Sequence, residues 1–142
     1  MIVGAAPDIL YLKDADGDGK AEVRTVLYTG FPKVNPEGRI TNFRLGIDNW
    51  VYAANNGADA RLIKPGSKGE PLLLRGADLR FNPVTGVAER ASGPAQYGLT
   101  MDDWGNRFIT QNTVHLRHAL VPAEYLGRSQ YLEVGAVSQD IS

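Results

Sequence analysis

The chain has 142 residues, of which 43% are hydrophobic and 22% charged, and its formal net charge is −1. This length suffices for one domain with a buried core. The near-neutral charge and the scattered Lys and Arg residues argue against nucleic acid or an anionic membrane as a partner. No run of residues approaches the roughly 20 apolar positions of a membrane span. Because cysteine is absent, disulfides, thiolate metal sites and covalently attached haem are excluded within this sequence.

The sequence shows no secretory signal peptide and begins directly with strand-like residues. We therefore expect this chain to be part of a longer parent protein.

Short strands separated by turns are predicted along most of the chain, which contains 16 Gly and 8 Pro. The predicted strand pairs, in chain order, are 8–30, 43–57, 60–76, 78–92 and 97–112. Residues 31–41 are predicted to form a loop. Only residues 121–132 fit a helical turn, with Pro122 suited to its start.

Two segments of the chain resemble later segments. The stretch "GIDNWVYAANN" is similar to "TMDDWGNRFITQN", and 54 residues separate Asp48 from Asp102 and Trp50 from Trp104. Likewise "DILYLKDADGDGKAE" is similar to "DLRFNPVTGVAE", with a shorter turn in the second copy. A repeat of roughly 40–50 residues with four short strands indicates a β-propeller.

We therefore predict an all-β fold that is part of a β-propeller with four-stranded antiparallel blades. A propeller needs ~4–8 blades to close, and this sequence has room for about two to three blades at the observed repeat. The alternative is a β-sandwich in which the similarity between segments is coincidental.

The stretch "KDADGDGKAEVR", residues 13–24, has the residue types of a calcium loop. Calcium binds six to eight hard oxygens from a flexible loop. Alternate positions supply three carboxylates, a glycine occupies the sixth position, the seventh gives a backbone carbonyl and the ninth is acidic. The predicted ligands are Asp14, Asp16, Asp18, the carbonyl of Lys20, and Glu22.

The flanks and the twelfth position distinguish this loop from an EF-hand. Thr25 occupies the position where an EF-hand has a bidentate Glu, and the flanks are strand-like. A solvated turn is the alternative, because Asp and Gly are favoured in turns. However, three carboxylates this close repel one another unless a cation neutralises them. We expect calcium to have a structural role at the rim of a blade.

The two Asp-Trp stretches are predicted to form tight turns. We expect Asp48 and Asp102 to accept hydrogen bonds from turn N–H groups, and Trp50 and Trp104 to cover neighbouring blades.

Candidate chemistry lies at predicted inner strand ends. His115 follows such a strand end, where a neutral imidazole could accept a proton from a sugar hydroxyl during hydride removal. Arg39 and Arg44 lie just before an inner strand and could bind a carboxylate-rich cofactor. Arg107 is a further candidate. The alternative is that these are ordinary surface residues.

The chain resembles the membrane-bound dehydrogenase domain of Planctomycetes and Verrucomicrobia, a group related to the glucose/sorbosone dehydrogenase propellers. The resemblance covers roughly residues 5–132. It rests on "PDILYLKDADGDGKAEVRTVLYTGF", "GRITNFRLGIDNWVYAANNG", "DLRFNPVTGVAERASGPAQYGLTMDDWGNRFITQN" and "VHLRHALVPAEYL".

The resemblance implies a six-bladed propeller in a periplasmic or membrane-associated parent, with a cytochrome c domain as a partner. It also implies a PQQ-type dehydrogenase acting on a sugar or polyol. His115, in the "N-x-x-H" segment, would be the base, and Arg39, Arg44 and Arg107 would contact the cofactor. This chain lacks some of the family's blades, so we expect no turnover from it alone. The second hypothesis is a non-catalytic module that binds carbohydrate or protein, with calcium purely structural.

Overall fold

A computed structural model describes residues 1–33, 39–126, 128 and 137–141. Within these ranges the chain is all-β, as predicted, with antiparallel strands and one short helix. The elements are β1 (Ile2–Ala5), β2 (Asp8–Lys13), β3 (Val23–Thr29), β4 (Thr41–Leu45), β5 (Val51–Ala54), β6 (Arg61–Leu62), β7 (Leu72–Leu73), β8 (Asp78–Phe81), β9 (Ala88–Ala91), β10 (Gly98–Met101), β11 (Arg107–Thr110), β12 (Arg117–Ala119), α1 (Ala123–Leu126) and β13 (Gln139–Asp140).

The strands form three main sheets in chain order. The first has the order β1-β2-β3, the second β4-β5-β8-β9 and the third β10-β11-β12-β13. The two-stranded sheet of β6 and β7 lies between β5 and β8 in the chain, and a bridge between Thr29 and Ile63 connects the residue after β6 to the end of β3 in the first sheet. None of the sheets closes on itself, and β4 contacts β10, so the first strands of the second and third sheets are neighbours.

All five predicted strand pairs are confirmed. The strand-like start of the sequence corresponds to β1, whereas β12 and β13 were not predicted. β12 and β13 have only three and two residues and carry no alternating apolar pattern. α1 confirms a helical turn after Pro122, but residues 127 and 129–132 of that prediction lie outside the described residues.

The similar sequence segments occupy equivalent places in the sheets. The Asp48 and Asp102 turns join the first and second strands of the second and third sheets. The acidic loop (residues 14–22) joins the last two strands of the first sheet, and the turn at 82–87 joins the last two strands of the second. The sequence repeat therefore corresponds to a repeat of strand position.

Two hydrophobic clusters form the core. The larger one joins the first and second sheets, where the Tyr28 and Phe81 rings meet edge to face at 5.3 Å. The smaller one joins the second and third sheets through Ala54, Leu99 and Ile109. Each main sheet thus packs against the next one along the chain, because apolar residues lie on the faces between them.

A buried polar network connects the second and third sheets. Asp78, at the start of β8, is fully buried, and its Oδ1 accepts hydrogen bonds from the backbone N–H groups of Asn55 (3.1 Å) and Ala95 (2.9 Å). Its Oδ2 lies 3.6 Å from Nη1 of Arg107, the first residue of β11. A Cβ at Gly93 would lie 2.6 Å from the Asp78 carboxyl carbon, so only glycine allows this close approach.

Burial raises the pKa of Asp78 to about 6 from its ordinary value of 3.8, although Arg107 and the two N–H donors oppose that rise. Between these two pH values the folded chain holds more protons than the unfolded chain. The contribution of Asp78 to the free energy of unfolding is therefore fully present below about pH 4 and is lost as the pH rises through about 6.

We predict that Asp78→Asn removes this pH dependence. The stability of the natural chain relative to Asp78→Asn should fall by about 2 kcal/mol between pH 4 and pH 7. Urea unfolding of both chains across this range measures the difference. A stability difference that stays constant with pH would contradict the assignment.

Candidate functional site

The acidic loop, residues 14–22, joins β2 to β3 and curls around Asp14. Oδ1 of Asp14 accepts a hydrogen bond from Gly17 N–H (2.6 Å), and its Oδ2 accepts one from Gly19 N–H (2.9 Å). Both glycines have positive φ, 83° and 88°, which L side chains rarely adopt. The Gly17 and Gly19 N–H groups lower the pKa of Asp14, so this carboxylate stays ionised under mildly acidic conditions.

The other acidic side chains of the loop also bind its backbone. Asp16 Oδ1 accepts from Asp18 N–H (3.2 Å), Asp18 Oδ1 from Lys20 N–H (2.8 Å), and Glu22 Oε2 from Ala15 N–H (2.7 Å). These hydrogen bonds hold the carboxylates on one side of the loop.

The four carboxylates converge closely enough for one ion. One oxygen each from Asp14, Asp16, Asp18 and Glu22 lies within 4.8 Å of the others, and all four residues are exposed. Oxygens that bind one calcium ion at 2.3–2.6 Å lie at most about 5 Å apart. The charge and spacing of these donors are compatible with calcium, they supply four of its six to eight oxygens, and an ion could enter from solvent.

Lys20, whose backbone carbonyl is a predicted calcium ligand, also contributes its side chain to the charge of the loop. Its ammonium lies 3.3 Å from Asp18 Oδ2, although both side chains are largely exposed. Such exposed pairs are weak. The ammonium therefore offsets only part of the repulsion among the carboxylates.

The Asp-Trp turns have the predicted hydrogen bonds. Asp48 Oδ1 accepts from Trp50 N–H, and Asp102 Oδ1 accepts from the N–H groups of Trp104 and Asn106. The expected packing of both Trp side chains is wrong for Trp104, which is 81% exposed. Its turn projects from the third sheet, so most of the indole faces solvent.

Arg80, in the middle of the second sheet, is a charged residue that the sequence analysis did not single out. Its direct cross-strand neighbours are Tyr52 and Glu89. Its Nε donates to Glu89 Oε2 at 3.0 Å, Nη2 donates to the same oxygen, and Nη1 donates to the Tyr52 hydroxyl at 3.4 Å. Burial would lower the pKa of Arg80, but these hydrogen bonds raise it above its ordinary value.

Two further carboxylates approach the same guanidinium. Arg80 Nη1 lies 2.7 Å from Glu124 Oε1, on α1, and 3.7 Å from Asp48 Oδ2, in the β4–β5 turn. The Trp50 ring also covers the guanidinium at 4.5 Å. Together with Glu89, three carboxylates therefore share one cation, which neutralises only one of their charges.

A cavity of about 240 Å³ lies between the β4–β5 turn, the β10–β11 turn and α1, and we call it the inter-sheet cleft. Its lining includes Asp48, Tyr52, Trp104, Arg107, Glu124 and Tyr125. The Arg107 guanidinium lies 5.5 Å from the Tyr52 ring centroid. Arg107 as a whole residue is 7% exposed. Its Nη1 has no hydrogen-bond partner among the described residues.

The predicted catalytic and cofactor residues do not meet at this cleft. Of His115, Arg39, Arg44 and Arg107, only Arg107 lines it. His115 is exposed in the β11–β12 connection, at the opposite end of β11 from Arg107. Arg39 and Arg44 are also exposed, before and within β4. The proposed roles of these residues stay predictions.

Local sequence could not reveal most of the polar network. In the sequence, Asp78 stands out only as the counterpart of Asp8 in the repeat, and Glu124 only as part of the predicted helical turn. The strand Asp78–Phe81 alternates charged and apolar residues, a pattern typical of a half-exposed strand, yet all four residues are buried. Charged residues in a fully buried strand require partners.

Comparison with known proteins identifies the family. The chain belongs to a family described as a domain of unknown function (DUF7133), whose sequence pattern matches residues 1–142. No curated protein and no solved structure matches the chain. In the described part of the chain, no helix has the length and apolar character needed to cross a membrane.

Proposed function

We propose that this chain is a calcium-binding part of a β-propeller, in which the ion fixes the long β2–β3 turn. The observation that carries the proposal is the convergence of four carboxylate oxygens within 4.8 Å in an exposed loop. Calcium would neutralise their repulsion and supply no chemistry beyond that.

The arrangement of the sheets supports the propeller part of the proposal. The second and third sheets each have four antiparallel strands in simple chain order, apart from the inserted β6–β7 pair. Their first strands are neighbours, and separate clusters join the first sheet to the second and the second to the third. A sandwich would instead bury one core between two sheets.

Calcium binding is tested by titration of the metal-free chain with calcium chloride in a calorimeter. We expect one ion per chain, with Asp16→Ala plus Asp18→Ala abolishing the heat of binding because half of the carboxylates are lost. Asp59→Ala plus Asp103→Ala removes the same charge from exposed sites outside the loop and should leave binding unchanged. Calcium should raise the thermal unfolding temperature of the natural chain and of the control variant, but not that of the loop variant.

The proposal fails if the natural chain releases no heat with calcium. It also fails if the loop variant binds as tightly as the control variant, because the loop would then be a turn only.

The family resemblance supports a second proposal for the parent protein: oxidation of a sugar or polyol with PQQ in the periplasm or at a membrane, with a cytochrome c domain receiving electrons. The exposure of His115 favours it, since a base must reach its substrate. The competing proposal is a non-catalytic module that binds carbohydrate or protein, which the aromatic-lined cleft favours.

The parent protein, loaded with PQQ and calcium, distinguishes these two proposals in a dye-reduction assay with aldoses and polyols. If it is a dehydrogenase, His115→Ala should lower the rate by about 10²–10⁴-fold, the typical contribution of a general base. His118→Ala, at the other histidine, should retain the rate because that ring stacks on Phe108. No dye reduction, together with no change in PQQ absorbance, would exclude the dehydrogenase and favour the non-catalytic binding module.

A further inference from the structure

The inter-sheet cleft combines an excess of negative charge with one buried guanidinium, that of Arg107. Asp48 and Glu124 lie on its wall, and both approach Arg80 Nη1, so their carboxylates are close neighbours. Arg80 must also balance Glu89, while the charge of Arg107 is balanced by Asp78. The wall therefore keeps a net negative charge, which opposes anionic ligands and favours a cation.

Arg107 adds a hydrogen-bond donor to the wall of the cleft, so a ligand that binds there would need an acceptor as well as a positive charge. This residue is 7% exposed and lines the cleft, while its Nη1 faces Asp78 Oδ2 at 3.6 Å, beyond hydrogen-bond distance. A guanidinium carries five N–H donors, so the ion pair with Asp78 does not use all of them. A ligand hydroxyl in the cleft would offer the Arg107 guanidinium an acceptor and would not carry the negative charge that Asp48 and Glu124 repel.

The entrance of the cleft is aromatic. Trp104 is 81% exposed and Tyr125 is 55% exposed, and both line the cavity. Such rings stack against the C–H face of a saturated ring or against a cation. The volume of about 240 Å³ is below the roughly 300–1,000 Å³ of drug-sized sites, so the cleft suits a small molecule.

We infer that the inter-sheet cleft binds a small molecule that carries a protonated amine beside hydroxyl groups, such as an amino sugar. The ammonium would lie against Asp48 and Glu124, a hydroxyl would accept from Arg107, and the ring would stack on Trp104. This site is separate from the acidic loop and from His115, and it requires neither calcium nor PQQ.

The test compares four probes by NMR titration of the full chain in an amine-free buffer, following the Trp104 indole and Arg107 Nε signals. Glucosamine carries all the required groups, glucose lacks the amine, and N-acetylglucosamine lacks its charge. Nα-acetyllysine methylamide has an ammonium but no hydroxyl. We expect glucosamine to bind about tenfold more tightly than each of the others, the usual gain from a charge-assisted hydrogen bond.

Variants assign the contacts. Glu124→Gln should abolish the preference for glucosamine over glucose, whereas Glu70→Gln, an exposed acid in the β6–β7 connection, should retain it. Trp104→Ala should weaken glucosamine binding about fivefold. Because the Trp104 side chain is so exposed, its removal leaves the core intact and keeps the test valid if Glu124→Gln does not fold.

Equal binding of glucosamine and glucose would overturn the inference, and so would the absence of any glucosamine shift at these signals. Binding of the lysine derivative as tightly as glucosamine would also overturn it, because the cleft would then recognise a basic side chain and not an amino alcohol. A glucosamine preference that survives in a folded Glu124→Gln chain would do the same.

Discussion

The carboxylate of Asp78 is buried where three segments of the chain meet. It accepts backbone hydrogen bonds from the segment after β5 and from the segment before β10, and it faces the Arg107 guanidinium of β11. A buried carboxylate is costly unless it is bound in this way. The second and third sheets can therefore dock only in an arrangement that brings these donors to Asp78, and that arrangement also forms the inter-sheet cleft.

Two other polar regions of the chain differ in their exposure. The acidic loop lies on an exposed turn of the first sheet, where its carboxylates bind their own backbone and remain open to an ion. The Arg80 cluster lies between elements, where carboxylates from the second sheet and α1 share one guanidinium. Exposure thus suits the first region to a metal ion and partial burial suits the second to a shaped organic ligand.

The sequence predicted the features that short segments determine. Turn residues such as Gly17 and Gly19 and the Asp48 and Asp102 caps specify hairpins within about ten residues, so those strand pairs were predicted correctly. The Arg80 contact with Glu124 spans 44 residues, and it depends on how α1 meets the second sheet. Such contacts depend on tertiary packing, which local pattern does not encode, and the same reason explains the exposed Trp104.

The central claim is that calcium fixes one turn of a chain whose sheets follow one another as propeller blades. A crystal structure of the parent protein grown with calcium tests it most directly. The claim predicts a ring of four-stranded blades and an ion bound by Asp14, Asp16, Asp18 and Glu22 at about 2.3–2.6 Å. Two sheets packed face to face as a sandwich, or an acidic loop without an ion at saturating calcium, would contradict it.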